Sequence, residues 1–152
     1  MFLSKLDSID EAREKIYAHQ KINGTEIIPI KEAHKRVLAK DILSFHDSPP
    51  FDKSAMDGFA LNAKDTFGAS NSLPKTLKII DAIGAGSESN KTVGENEAII
   101  IATGAPIPKG ADAVLMKEYT TVEDDEVTIT SQVTPGENIS PKAEDIKKGD
   151  VV

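Results

Sequence analysis

A chain of 152 residues, 39% apolar and 28% charged, has the balance of a soluble globular protein and the length of one ordinary domain or two small ones. Its 25 acidic residues outnumber 18 basic ones, for a net charge of −7, and no basic run could track a phosphate backbone, which argues against nucleic acid as a partner. With no cysteine, disulfides, thiolate zinc sites and cysteine nucleophiles are excluded together, and a reducing compartment fits.

The N-terminal MFLSKLDSIDEAREK lacks the apolar run and small-residue cleavage site of a signal peptide, and no stretch approaches the ~20 apolar residues that span a bilayer. A cytoplasmic protein with no membrane partner is expected. Ser8 and Glu11 form a capping box, and Ile9, Ala12, Ile16 and Tyr17 recur at helical spacing, which predicts a helix over Ile9 to His19. Asn23 and Gly24 should stop it, and TEIIPI then reads as a short extended piece. A second helix is predicted from about Lys31, with Ala33, Val37 and Leu38 on one face, yielding to a strand at DILSF.

The segment SPPFDKSAMDGFAL, residues 48–61, concentrates polar chemistry and backbone constraint. Pro49 and Pro50 make a stiff connector. Asp52, Ser54 and Asp57 then place two carboxylates and a hydroxyl within six residues, a set that suits a hard cation such as Mg²⁺ or a polar substrate. Gly58 allows a tight turn or a close approach beside Asp57. The same residues also suit side-chain turns and an Asp-Gly hairpin turn, so both readings stand. Met56 and Phe59 are expected in the core.

From Leu77 the pattern changes to LKIIDAI, EAIIIAT, ADAVLMKEYTTV and EVTITSQV, separated by Gly, Pro, Asn or acidic turns; strands so spaced predict a compact antiparallel β lobe. VTIT should bury one face and AIIIA both. Glu123, Asp124, Asp125 and Glu126 read as a solvated hairpin tip. No GxGxxG, Walker or GxSxG pattern occurs, and His19, His34 and His46 have no metal-ligand spacing. AEDIKKGDVV ends where a strand is expected to begin, as though the chain were part of a longer protein.

Three segments, SPPFDKSAMDGFAL, IIIATGAPIPKGADAVLMKE and GENISPKAEDIKKGDVV, together resemble the molybdopterin molybdenumtransferase or MoeA family, to which the gephyrin E-domain is related. The family's PFDxSAMDGYA, ATGAPxPxGADAVV and GxNxRxxGEDIxxGxxV motifs recur here in order, over almost the whole chain. The resemblance implies a mainly β fold with N-terminal helices (α+β), its coiled, bifurcated sheets arranged in two small lobes. Residues 1–24 would carry a helix that packs on a downstream pterin-binding domain, 25–50 with 136–152 a small αβ lobe, and 51–135 an inserted β lobe. The pterin-binding and C-terminal β-barrel domains would follow Val152.

The function implied is Mg²⁺-dependent insertion of molybdate into adenylylated molybdopterin with release of AMP, by a homodimer whose sites combine two subunits. The chain alone is expected to be inactive, and a molybdopterin adenylyltransferase is a further implied partner. By position in the motifs, Asp57 and Thr103 carry the catalytic roles and Asp57 and Asp145 the metal, with Ser54, Thr103, Gly104 and Lys142 on the anion; local turn formation is the competing use of Thr103 and Asp145. The chain departs from the family at Ser140, Pro141 and Ala143, where arginine and glycine are usual, leaving Lys142 as the nearby cation, and at Phe59 in place of tyrosine. A dimerisation or binding module without a catalytic role is the alternative function, and an unrelated β-rich metal-binding domain a third.

Overall fold

A computed structural model describes residues 6–21 and 24–152, and the chain divides into two compact units, residues 1–41 and 42–152. In the first unit helix α1 runs over Ile9–His19, as its capping signature predicts. The Ser8 hydroxyl accepts the Glu11 N–H, and the Glu11 carboxylate accepts the Ser8 N–H, so two orphan donors of the first turn are satisfied. Its apolar stripe is solvent-facing, and no residue of α1 is buried. Of the expected stop, Asn23 lies outside the described residues, as do residues 1–5.

The second predicted helix does not form. Only a single 3₁₀ turn, Ile30–Glu32, stands there, and Lys35 breaks any continuation with φ 64°. Val37 and Leu38 are exposed, so the apolar face that would have stabilised a short helix has nothing to pack on. TEIIPI and DILSF are likewise irregular, apart from a single bridge at Leu43.

The second unit is built on β1 (Lys53–Ser54), β2 (Gly58–Leu61), a four-residue helix α2 (Ala63–Thr66), β3 (Lys75–Ile83), β4 (Glu97–Ile101), β5 (Ala113–Met116), β6 (Thr120–Glu123), β7 (Glu126–Ile129) and β8 (Ile139–Ser140). Six strands form one sheet in the order β5-β2-β4-β3-β7-β6, and β1 pairs with β8 separately. The sheet is mixed rather than antiparallel throughout, because β3 and β4 run parallel with a register shift between Ile79 and Asp81. Residues 84–96 join them, long enough for the crossover that a parallel pair requires.

Burial follows the period-2 alternation of the strands. Phe59, Leu61, Ala98, Leu115, Val127 and Ile129 share one core cluster, whereas Ala60, Ile99, Ile101, Val114 and Ile83 belong to another. Neighbours along β2 thus alternate between two clusters, which is why all four residues of GFAL are buried. VTIT buries Val127 and Ile129 as predicted. AIIIA does not bury both faces along its whole length, since Ile100 is 39% exposed, and Met56, expected in the core, is equally exposed. The acidic tip is the β6–β7 turn, with Asp124 at φ 53°.

Candidate functional site

The sheet register brings the sequence motifs together. Strand β2 is antiparallel to both neighbours, with Gly58 opposite Ile101 at the end of β4 and opposite Met116 at the end of β5. Asp57, one residue before β2, therefore stands beside the residues that leave β4 and β5. Its Oδ1 accepts the Thr103 N–H at 2.8 Å and the Thr103 hydroxyl at 2.9 Å, and its Oδ2 lies 3.4 Å from Lys117 Nζ. The Lys117 N–H also donates to the Asp57 carbonyl at 3.2 Å. Donation from the Thr103 backbone, then from its hydroxyl, then from Lys117 holds the Asp57 carboxyl below the usual aspartate range, so it is ionised at neutral pH.

Gly58 makes this approach possible. A Cβ there would lie 2.0 Å from the Leu115 carbonyl oxygen, so β2 and β5 close on each other only because the residue after Asp57 has no side chain.

The Thr103–Pro106 stretch runs along residues 52–54. Gly104, at φ +83°, donates its N–H to the Ser54 carbonyl, Ser54 donates to the Ala105 carbonyl, and Ile107 donates to the Asp52 carbonyl. These contacts occupy two of the predicted anion donors. The Gly104 N–H is spent on Ser54, and the Ser54 hydroxyl, only 1% exposed, donates to the Met56 carbonyl at 2.6 Å. Ser54 is thus a turn-forming residue in this structure.

Lys142 and Asp145 are engaged elsewhere, where residues 138–152 return along 42–55. Lys142 Nζ pairs with Asp47 at 3.1 Å, and its N–H donates to Asp52 at 2.7 Å. Asp145 accepts from the Ser48 hydroxyl at 3.4 Å and donates its N–H to the Ser48 carbonyl. Its contacts are not those of Asp57, whose carboxylate is held by Thr103 and Lys117. An open concavity of about 470 Å³, lined by Lys78, Ile79, Ile80, Lys91, Thr92 and Glu97, contains none of the motif residues.

The family profile described as MoeA N-terminal region (domain I and II) matches residues 7–152. The chain belongs to this family. It is 44% identical over 144 residues to the molybdopterin molybdenumtransferase of Staphylococcus aureus strain Mu50, a match that covers 95% of this chain and 34% of that protein. A Staphylococcus epidermidis molybdopterin molybdenumtransferase is 43% identical over 146 residues, covering 95% of this chain and 35% of the relative. Among solved structures, the molybdopterin biosynthesis MoeA protein of Pyrococcus horikoshii OT3 is similar, with a TM-score of 0.80 and 45% identity over 87% of this chain and 35% of that one. The chain thus spans about a third of the length of these relatives.

In this MoeA N-terminal region, two motif residues, Asp57 and Thr103, are joined in one hydrogen-bonded group. Lys117, which completes it, carries no local sequence signal: it is one lysine after strand β5, and the pairing of β5 with β2 sets it beside Asp57. Asp47 also escaped sequence reading. It accepts the Lys148 N–H at 2.8 Å and pairs with Lys142, a role that 101 residues of separation conceal. Among the described residues no group of three or more His, Asp or Glu side chains could hold a metal ion, and no helix is long and apolar enough to cross a membrane.

Proposed function

We propose that this chain serves as the N-terminal part of a cytoplasmic molybdenum insertase, which inserts molybdate into adenylylated molybdopterin with release of AMP. The observation that carries the reading is the Asp57–Thr103 contact, because it unites the SAMDG and TGAP motifs around an exposed, ionised carboxylate. The names of the relatives support the same activity.

Asp57 fits a Mg²⁺ ion as a single ligand. Mg²⁺ takes one or two carboxylates together with substrate oxygens and keeps several waters, so a site shared with substrate does not require three acidic side chains from this chain. Asp57 Oδ1 is committed to Thr103, whereas among the described residues Oδ2 meets only the Lys117 ammonium, at 3.4 Å. The Thr103 donors would fix the carboxylate's orientation, and Oδ2 would take the metal. Bound there, Mg²⁺ would screen the negative charge of the approaching oxyanion. Asp145 is assigned a supporting place at the return segment, consistent with its bonds to Ser48. The rest of the site would come from the pterin-binding domain of a second copy in a homodimer, and a molybdopterin adenylyltransferase would hand over the pterin substrate.

Complementation of an insertase-deficient strain by the native gene tests this. Asp57→Ala should lower molybdoenzyme activity at least about a hundredfold, and Thr103→Ala about tenfold through loss of carboxylate orientation, with yield and oligomeric state unchanged. Full activity in both variants would reject the catalytic assignment. It would favour instead a dimerisation or binding module, a reading supported by the exposure of Ile9, Ile16 and Tyr17 on α1.

A further inference from the structure

We propose that Lys117 is the residue of this chain that contacts the tetrahedral oxyanion at the Asp57 site. The inference rests on the insertase reading above and adds to it a binding residue that the motifs do not mark.

An oxyanion approaching an ionised aspartate is repelled unless positive charge stands beside it; a Mg²⁺ on Oδ2 would supply part of that charge, and donors of this chain would have to hold the oxyanion in place. The donors expected from sequence are already used within the chain. Thr103 gives both its N–H and its hydroxyl to Asp57, Gly104 gives its N–H to Ser54, the Ser54 hydroxyl is turned to Met56, and Lys142 pairs with Asp47. Lys142 is an exposed ammonium too, but its partner is Asp47; Lys117 is the one of these cations whose partner is Asp57 itself. Its side chain is 60% exposed, and its contact with Asp57 at 3.4 Å is longer than a well-formed N–H···O bond. An ammonium carries three donors, so this one contact leaves capacity for an incoming oxygen.

The base of Lys117 is fixed while its tip is loosely held. Its N–H donates to the Asp57 carbonyl, its carbonyl accepts the Thr120 hydroxyl at 2.8 Å, and it opens the 3₁₀ turn Lys117–Tyr119 that ends β5. The fold therefore fixes where the lysine stems from, beside Asp57, and leaves its side-chain rotamers to be ordered by the contact. Thr103 already supplies two donors to Asp57, so the lysine can turn toward an anion without leaving the carboxylate unsupported. Two oxyanions share the required chemistry, molybdate itself and the phosphate of the adenylylated pterin.

The test measures insertion by the protein from its native gene, varying molybdate at saturating adenylylated molybdopterin and then the reverse, in wild type, Lys117→Gln and Lys117→Arg. Loss of a charge-assisted hydrogen bond in Lys117→Gln should raise half-saturating molybdate about tenfold, with kcat nearly unchanged, and Lys117→Arg should restore most of it. A shift confined to the adenylylated pterin would support the same contact with its phosphate as the occupant. Wild-type dependence on both substrates in Lys117→Gln would overturn the assignment while leaving the insertase reading intact. Absence of molybdate-dependent activity in the wild type would instead overturn that reading, and the role of Lys117 with it.

Discussion

Gly58 and Gly104 flank the Asp57–Thr103 contact and are required for different reasons, which two substitutions separate. At Gly58 the obstacle is space: an added Cβ meets the Leu115 carbonyl at 2.0 Å, and that atom belongs to a paired strand that cannot swing aside as a flexible side chain would. Gly58→Ala should cost at least about 2 kcal/mol, as overpacking of a closed interior does, and should displace Asp57 as β2 moves from β5. At Gly104 no atom lies within 4 Å of the added Cβ, but φ is +83°, so Gly104→Ala carries only the backbone cost of about 1–2 kcal/mol. Urea midpoints rank the two, and the Thr103 amide resonance reports whether Asp57 has moved. Equal destabilisation with an undisturbed amide in both would show that the strand contact at Gly58 is not tight.

At the scale of elements, the short helix α2 is fastened to the unit partly through one buried hydroxyl, beside the bonds of Ala63 to Asp112 and of Asp65 to Asn96. Thr66, fully buried, donates its hydroxyl to the Ala63 carbonyl at 2.8 Å and accepts the Val133 N–H at 3.0 Å. Thr66→Val keeps the shape but leaves the Val133 N–H without this acceptor, at an expected cost of about 1–3 kcal/mol; Thr66→Ser retains the hydroxyl and should lose less. Denaturant unfolding of the pair distinguishes the hydrogen bond from the packing of the methyl group. Thr66 had no visible role in the sequence, because its acceptor bond reaches Val133, 67 residues away. What was legible shares the opposite property. The α1 cap and the alternation of VTIT depend on neighbours a few residues apart, and both appear as predicted. The region after Lys31 failed because helical periodicity is a promise of burial, and Val37 and Leu38 are exposed. The direction of β4 failed similarly, since Gly-rich residues 84–96 look like a hairpin link but carry a parallel crossover. At the candidate site the motifs identified Asp57 and Thr103, but not which donors were already spent; that depends on contacts such as Gly104 to Ser54 and Lys142 to Asp52, made across the chain.

Across the second unit as a whole, two kinds of cohesion meet. The six-stranded sheet is held by buried Leu61, Leu77, Ile99, Ile101 and Leu115, each contributing about 1.5–3 kcal/mol by leaving water. The return segment is held differently: of residues 42–50 and 141–152, only Pro49 is buried. Its fastening is polar, through Asp47 to the Lys148 N–H and Lys142, Asp52 to the Lys142 N–H, and Ser48 to Ile146. Segments with little apolar burial open before a core does, so the amides of Lys142 and Lys148 should exchange faster than that of Leu115. Acid should loosen them further. The Lys148 N–H first, and then Lys142, hold the Asp47 carboxyl below its usual range, so the folded state binds this proton less readily than the unfolded chain. The resulting stability is fully present above the ordinary aspartate value of about 3.9 and is lost as pH falls from there through the lower folded-state value. Asp47→Asn, which cannot titrate, should weaken the Lys148 amide's protection at pH 6 and remove most of its further loss toward pH 3, while Leu115 is little affected at either pH. If the asparagine variant kept the full acid response at Lys148, protonation of Asp47 would not be what releases the return segment.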